Sequence, residues 1–157
     1  TDLTIFVEAV LPSSPTSLDR QKLELAISVA ATMLVDQTRH AADSTLTLVL
    51  ISVTPRVRSG LAMTTTVDDM LTALALAEPM VAKAGAAPLT ADQASAVENG
   101  WQASPRAARA VLITARGGSA AADPAQAVSR AGMSRGVELL DMAPDRLARW
   151  IEFPEPV

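Results

Sequence analysis

The chain predicts a three-layer α/β sandwich of Rossmann type, with a mostly parallel central sheet of about five strands and one antiparallel edge strand. Short apolar runs of strand length alternate with helical stretches of ten or more residues, and connections of that length join parallel strands. The 157 residues, 49% of them apolar, suit one domain with one core. We expect a single domain over residues 1–157, and because it opens at Thr1 we interpret it as excised from a longer protein.

The first two elements are a strand and a long helix. Leu3–Val7 is short, apolar and β-branched, which is typical of a strand, and the prolines and serines of residues 12–16 predict a loop. Ser17 is the predicted N-cap of a helix from Leu18 to about Ala41. Because residues 25–35 are apolar on nearly all sides, we expect that part of the helix to be buried on most sides.

A strand pair and two helices follow. The continuous apolar run Leu46–Val53 predicts a central strand covered on both faces. Arg56–Met63 is interpreted as a short antiparallel edge strand, with a bend at Ser59-Gly60. Two patterns of the capping-box type then predict helices. The first is Thr66 with Asp69, before a helix over Val67–Lys83, and the second is Thr90 with Gln93, before a helix toward Ala103.

The last third predicts two more strands and two helices. The apolar run Ala110–Thr114 is interpreted as a strand that enters a turn at Gly117-Gly118-Ser119. Asp123-Pro124 has the composition of a helix start, and that helix is expected to end at Gly132. Gly136–Asp141 predicts the next strand, and Pro144-Asp145 opens a final helix through Trp150.

Composition excludes several function classes. The net charge is −4 and aromatic residues are only 3% of the chain, so we expect no nucleic-acid partner. Cysteine is absent, which excludes thiolate metal sites and cysteine nucleophiles. The longest apolar stretches are shorter than the roughly 20 residues of a spanning helix, so we expect no membrane contact by this segment.

Several segments together resemble one known family. They are the apolar first strand, the helix containing Leu23–Thr32, the strand pair around Leu46–Met63, the glycine-containing loop after Ile113-Thr114, and the closing strand and helix. In this order they are similar to the C-terminal, von Willebrand factor A-like half of the domain of unknown function 58 family. The resemblance implies a cytoplasmic domain of a bacterial protein, often encoded beside MoxR-type AAA+ ATPases, commonly with membrane helices elsewhere and without established enzymatic activity.

The resemblance also implies a divalent metal site, which this chain only partly matches. Such a site uses an Asp-x-Ser-x-Ser loop after the first strand, a Thr, and an Asp after the fourth strand. Glu8 stands at the first Asp, Val10 and Pro12 at the two Ser positions, and Arg116 where the second Asp is expected. Thr66 is the counterpart of the Thr. We therefore expect a degenerate site that holds no metal or other cofactor.

Two functions follow from these residues. The first is a non-enzymatic protein-interaction module that works with a MoxR-type AAA+ ATPase. Its predicted partner-binding cleft contains Glu8, Ser13, Ser14, Thr66 and Arg116, where Arg116 either binds an acidic residue of the partner or pairs with Glu8. The alternative is a small hydrolase or nucleotide-binding enzyme of open α/β type that uses the cleft between residues 8–17 and 115–123.

One further pair bears on the enzyme alternative. His40 is the only histidine in the chain, and Asp36 lies one helical turn before it. The pair has the spacing in which a carboxylate orients a histidine base. Because both residues are near the predicted end of their helix, where a histidine is favoured by the helix dipole, we interpret the pair as structural.

Overall fold

The computed structural model describes residues 1–82, 89–116, 127–128 and 135–142. Ten helices and strands have defined bounds in this part of the chain. In chain order they are β1 (Leu3–Glu8), β2 (Val10–Leu11), α1 (Ser17–His40), β3 (Thr45–Ile51), β4 (Arg56–Leu61), α2 (Thr64–Ala75), β5 (Met80–Val81), α3 (Ala91–Ala103), β6 (Arg109–Thr114) and β7 (Glu138–Leu140).

The central sheet has five strands in the order β4-β3-β1-β6-β7. Neighbouring strands are parallel except for β4, which runs antiparallel to β3 at one edge. Strand β1 lies in the middle and pairs with β3 on one side and β6 on the other. The predicted fold class, a mostly parallel five-stranded sheet with one antiparallel edge strand, is therefore confirmed.

Helices cover both faces of this sheet. Along β1, Ile5 and Val7 pack in a cluster with residues of α1 and α2, while Phe6 packs in a second cluster with residues of α3. The alternation arises because successive side chains of a strand point to opposite faces. Strand β3 is buried on both faces from Leu46 to Ile51, as predicted for a central strand.

The bend predicted at Ser59-Gly60 is wrong. Both residues lie within β4, where Ser59 pairs with Thr47 and Gly60 with Leu46. Gly60 is explained by close packing and not by a bend, since a Cβ at this position would come within 2.9 Å of Thr66 Oγ1 in α2. A small residue therefore lets the first turn of α2 approach the edge strand.

Two of the predicted helix starts change. Helix α1 is capped by Thr16, not Ser17: Thr16 Oγ1 accepts from the backbone N–H of Asp19 at 3.2 Å, and the Asp19 carboxylate accepts from the N–H of Thr16 at 2.9 Å. Helix α2 begins at Thr64, so Thr66 lies inside its first turn and is not its cap. The box of Thr90 with Gln93 at the start of α3 is confirmed.

Helix α1 is not buried on most sides. Within the apolar stretch, Val29 is buried but Leu25, Ser28 and Thr32 face solvent. The reason is that α1 lies in an outer layer, and only its inner face contacts the sheet and α2. Helix α2 also ends earlier than predicted, at Ala75 rather than Lys83, and the chain from Met80 forms β5.

Some predicted elements lie outside the described residues. They are the turn at 117–119, the final helix at 144–150, and the helix from 123 to 132 apart from Ala127 and Val128, which are helical. Within the described ranges, no helix is both long and apolar enough to cross a membrane.

Candidate functional site

The candidate site lies where three parallel strands end side by side. Glu8 of β1 is in register with Ile51 of β3 and Thr114 of β6. We call these strand ends, with the segments that follow them, the carboxyl edge of the sheet. In open α/β sheets ligands bind at this edge, because the connections diverge there and leave a crevice.

A buried ion pair joins the two predicted site residues of this edge. Arg116 Nε donates to Glu8 Oε1 at 2.7 Å, and Arg116 Nη2 donates to Glu8 Oε2 at 2.9 Å. The contact is therefore bidentate, the geometry in which a guanidinium matches a carboxylate best. The Glu8 side chain is completely buried and that of Arg116 is 13% exposed.

Thr114 closes this pair into a hydrogen-bonded ring. Its hydroxyl donates to Glu8 Oε1 at 2.9 Å and accepts the backbone N–H of Arg116 at 3.1 Å. Thr114 is itself fully buried. The ring ties the end of β1 to the chain leaving β6, and it pairs the Arg116 guanidinium with Glu8 of the same chain.

The residues of this edge do not fit the divalent metal that the von Willebrand factor A-like resemblance implies. Both oxygens of Glu8 already accept hydrogen bonds, and Val10 is a buried side chain of β2, which pairs with β5. Pro12 offers no side-chain oxygen. Across the residues with described positions, no three acidic or histidine side chains are grouped so that they could hold a metal ion.

The other predicted cleft residues are placed differently. Ser13 and Ser14 are exposed in the loop between β2 and α1, and Ser14 has a left-handed backbone with φ of 55°. Thr66 lies close to Gly60 of β4. Gly60 pairs with Leu46 of β3, and Leu46 pairs with Leu3 at the beginning of β1. Five strand positions separate Leu3 from Glu8, about 17 Å at strand spacing. Thr66 therefore lies at the opposite edge of the sheet and does not line this cleft.

The His40–Asp36 pair also lies away from the carboxyl edge. Helix α1 ends at His40, and the chain then enters the beginning of β3. His40 Nδ1 is 3.0 Å from Asp36 Oδ1, and both side chains are more than 60% exposed. The only histidine is thus a solvent-facing residue at the other end of the sheet.

Sequence reasoning missed a buried polar contact beside the site. Gln93 is buried at the start of α3, where its Oε1 accepts from the N–H of Thr90 at 3.1 Å. Its Nε2 donates to the carbonyl of Ser52 at 3.1 Å and contacts the sulfur of Met80. This glutamine therefore anchors the chain that leaves β3. The capping pattern located Gln93, but nothing local to it indicated the contact with Ser52.

Sequence reasoning also missed a group of exposed hydrophobic residues at the carboxyl edge. Leu18 is in the first turn of α1, Val53 follows β3, Leu76 directly follows α2 and Val81 is in β5. Their side chains are 58%, 54%, 68% and 54% exposed. The N–H of Val53 donates to the carbonyl of Glu78 at 3.1 Å, and Glu78 lies between Leu76 and Val81 in the chain, so these three residues are on neighbouring segments. Leu18 follows the loop after β2, and β2 pairs with β5. We call these four side chains the apolar rim.

The strand order and the two helical layers define an open α/β domain that agrees with a von Willebrand factor A-like fold. No family model matches the chain, and no curated protein matches it. Among solved structures it is similar to an aerotolerance-related membrane protein from Bacteroides fragilis NCTC 9343 that carries multiple mutations to serine. The identity is 10%, the alignment covers 87% of this chain and 65% of that chain, and the TM-score is 0.36.

Proposed function

We propose that this chain is a non-enzymatic protein-interaction module whose carboxyl edge binds a protein partner without a metal ion. The partner proposed is a MoxR-type AAA+ ATPase, as the family resemblance implies. The single observation that carries the proposal is the apolar rim, in which four large hydrophobic residues at the carboxyl edge are each more than half exposed. Grouped exposed apolar side chains are typical of protein-interaction sites, whereas isolated ones are ordinary.

The electrostatics of the edge support recognition by apolar contact. Arg116 and Glu8 neutralise each other inside the domain, so this pair presents little net charge to a partner. Complete burial of a fully exposed leucine or valine side chain contributes about 1.5–3 kcal/mol, and the rim residues, at 54–68% exposed, contribute correspondingly less each. The apolar rim is therefore the part of the edge from which most of the binding free energy is expected.

The positions of the polar groups argue against the enzyme alternative. A general base must lie within hydrogen-bonding distance of the proton that it removes. The Glu8 carboxylate is completely buried and paired with Arg116, and His40 lies at the opposite edge of the sheet. A nucleotide that bound the folded domain would raise its melting temperature. We expect no shift with millimolar ATP or GTP, and a rise of several degrees would favour the nucleotide-binding alternative.

The interaction is tested by measuring the binding of the purified domain to a purified MoxR-type AAA+ ATPase. We expect Leu76→Ser to weaken binding about tenfold or more, since it removes the most exposed leucine of the rim. Leu61→Ser is the matched control, because Leu61 is also exposed, at 54%, but lies at the opposite edge. Equal loss in both variants, or no binding by the wild-type domain, would contradict the proposal.

A further inference from the structure

We propose that Arg116 is a built-in cation that takes the place of a divalent metal at the carboxyl edge. The edge is then held in one arrangement whether or not metal ions are present. This inference goes beyond the proposed function, because it concerns how the edge is held together and not what binds to it. The reasoning begins from the mismatch between the residues of this edge and a metal site.

The first argument is the geometry of the Glu8 carboxylate. A cation at the end of β1 would bind the Glu8 oxygens, and these two oxygens lie 2.7 and 2.9 Å from Nε and Nη2 of Arg116. The guanidinium therefore occupies the side of the carboxylate from which a metal would bind. It supplies a permanent positive charge, since arginine does not lose its proton in proteins.

The second argument is the support around the guanidinium. The backbone N–H of Arg116 donates to Thr114 Oγ1, and the Thr114 hydroxyl donates to the same carboxylate that the guanidinium binds. Arg116 is thus held at both its backbone and its side chain. With Glu8 and Thr114 fully buried, dissolved ions cannot compete for the carboxylate without opening the ring.

The third argument is that the apolar residues around the Glu8–Arg116 pair suit a guanidinium better than a metal ion. A metal ion needs several oxygen ligands, whereas a guanidinium needs only acceptors in its own plane. Val10 and Leu11 of β2 are buried, and Leu11 packs with Ala9 and Ala115. The segment that would carry hydroxyl ligands in a metal site is here part of the apolar core.

The test uses thermal melts of the purified domain in matched sodium chloride, magnesium chloride and methylguanidinium chloride. For the wild type we expect equal melting temperatures with millimolar magnesium and with EDTA. Arg116→Ala should lower the melting temperature by about 10 °C, because it leaves a buried carboxylate unpaired. In this variant, millimolar methylguanidinium should restore about 4 °C, whereas millimolar magnesium should restore nothing, because Glu8 lacks the further oxygen ligands that a metal ion needs.

Two control variants isolate the carboxylate. The double variant Glu8→Gln/Arg116→Ala should not respond to methylguanidinium, because the negative charge that binds this cation is gone. Arg109→Ala, which breaks the exposed pair with Glu138, should also show no cation response. If Arg116→Ala is insoluble, it is refolded from urea in each salt, and the folded yield replaces the melting temperature.

Each outcome decides the proposal. Recovery with methylguanidinium alone that depends on Glu8 supports it. Recovery with magnesium would show that the edge can still hold a metal ion and would overturn it, and so would recovery with neither cation. A magnesium-dependent rise in the wild type would overturn it as well, since the native edge would then bind a metal.

Discussion

Strand β6 has an Arg–Glu pair at each end, and the two pairs differ mainly in burial. At its beginning, Arg109 Nη2 lies 3.2 Å from Glu138 Oε2, with side chains that are 54% and 38% exposed. Just beyond its end, Arg116 lies 2.7 Å from Glu8, with side chains that are 13% and 0% exposed. The same two residue types therefore form a solvent-exposed ion pair at the beginning of β6 and a buried ion pair just beyond its end.

The difference shows that an ion pair has no fixed contribution to stability. Between exposed groups, water screens the attraction, and such pairs contribute about 0.2–1 kcal/mol. Between buried groups the attraction is stronger, but both ions have lost their hydration, so the intact pair contributes little net stability. Breaking a buried pair is nevertheless costly, at about 3–5 kcal/mol, because one charge remains without a partner.

The largest effect is expected when a substitution introduces an unpaired charge into the apolar core. Val29 is 3% exposed in the core between α1 and the sheet. Val29→Asp should cost about 5 kcal/mol or more, which is comparable with the whole stability of a domain, and should abolish soluble expression. Ser28→Asp places the same charge on the exposed face of the helix and serves as the control. A soluble Val29→Asp protein with an unchanged melting temperature would contradict the packing of α1.

The next largest effect distinguishes two quantities: the cost of leaving one buried charge unpaired, and the stability that the intact ion pair contributes. Arg116→Met should lower the free energy of unfolding by about 3–5 kcal/mol. The double variant Glu8→Met/Arg116→Met should recover most of that loss, since no buried charge then remains. Urea denaturation of the two variants measures the difference. A double variant as unstable as Arg116→Met would mean that the ion pair itself contributes the stability.

An intermediate effect is expected for an exposed carboxylate held by directed hydrogen bonds. The pKa of Asp19 is lowered from 3.8, first by the backbone N–H of Thr16 and second by the Thr16 hydroxyl. A lowered folded-state pKa contributes stability that is present above the unfolded value and is lost as the pH falls through the folded value. Thr16→Ala should cost about 1 kcal/mol at neutral pH, and it should reduce the loss of stability on acidification below about pH 4. Urea midpoints at several pH values check both effects, and an unaltered pH profile would contradict this role.

The smallest effect is expected at the exposed pair. Arg109→Ala should change the free energy of unfolding by less than about 1 kcal/mol, and the change should shrink at high salt. Urea denaturation at low and high sodium chloride gives both values. A salt-insensitive loss as large as that of Arg116→Met would mean that burial does not explain the contrast between the pairs.

Local signals were reliable where one short pattern decided the structure. The box of Thr90 with Gln93 predicted the start of α3 because the hydroxyl, the side-chain amide and both backbone N–H groups lie within one turn. At α1 the predicted cap was one residue late, since only Thr16 has an acidic residue, Asp19, three positions further on. The similar pair of Thr66 and Asp69 was misleading, because α2 has already begun at Thr64, and Thr66 lies close to Gly60 within the first turn.

The amino-acid sequence by itself determined the alternation of strands and helices, the antiparallel edge strand and the apolar core, because these depend on periodicity and on short-range propensity. It also identified Glu8 and Arg116 as residues of one edge. Only the tertiary structure decided that the two pair with each other and that Thr66 lies at the opposite edge. The physical reason is distance along the chain: 108 residues separate Glu8 from Arg116, and only the register of β1 with β6 brings them into contact.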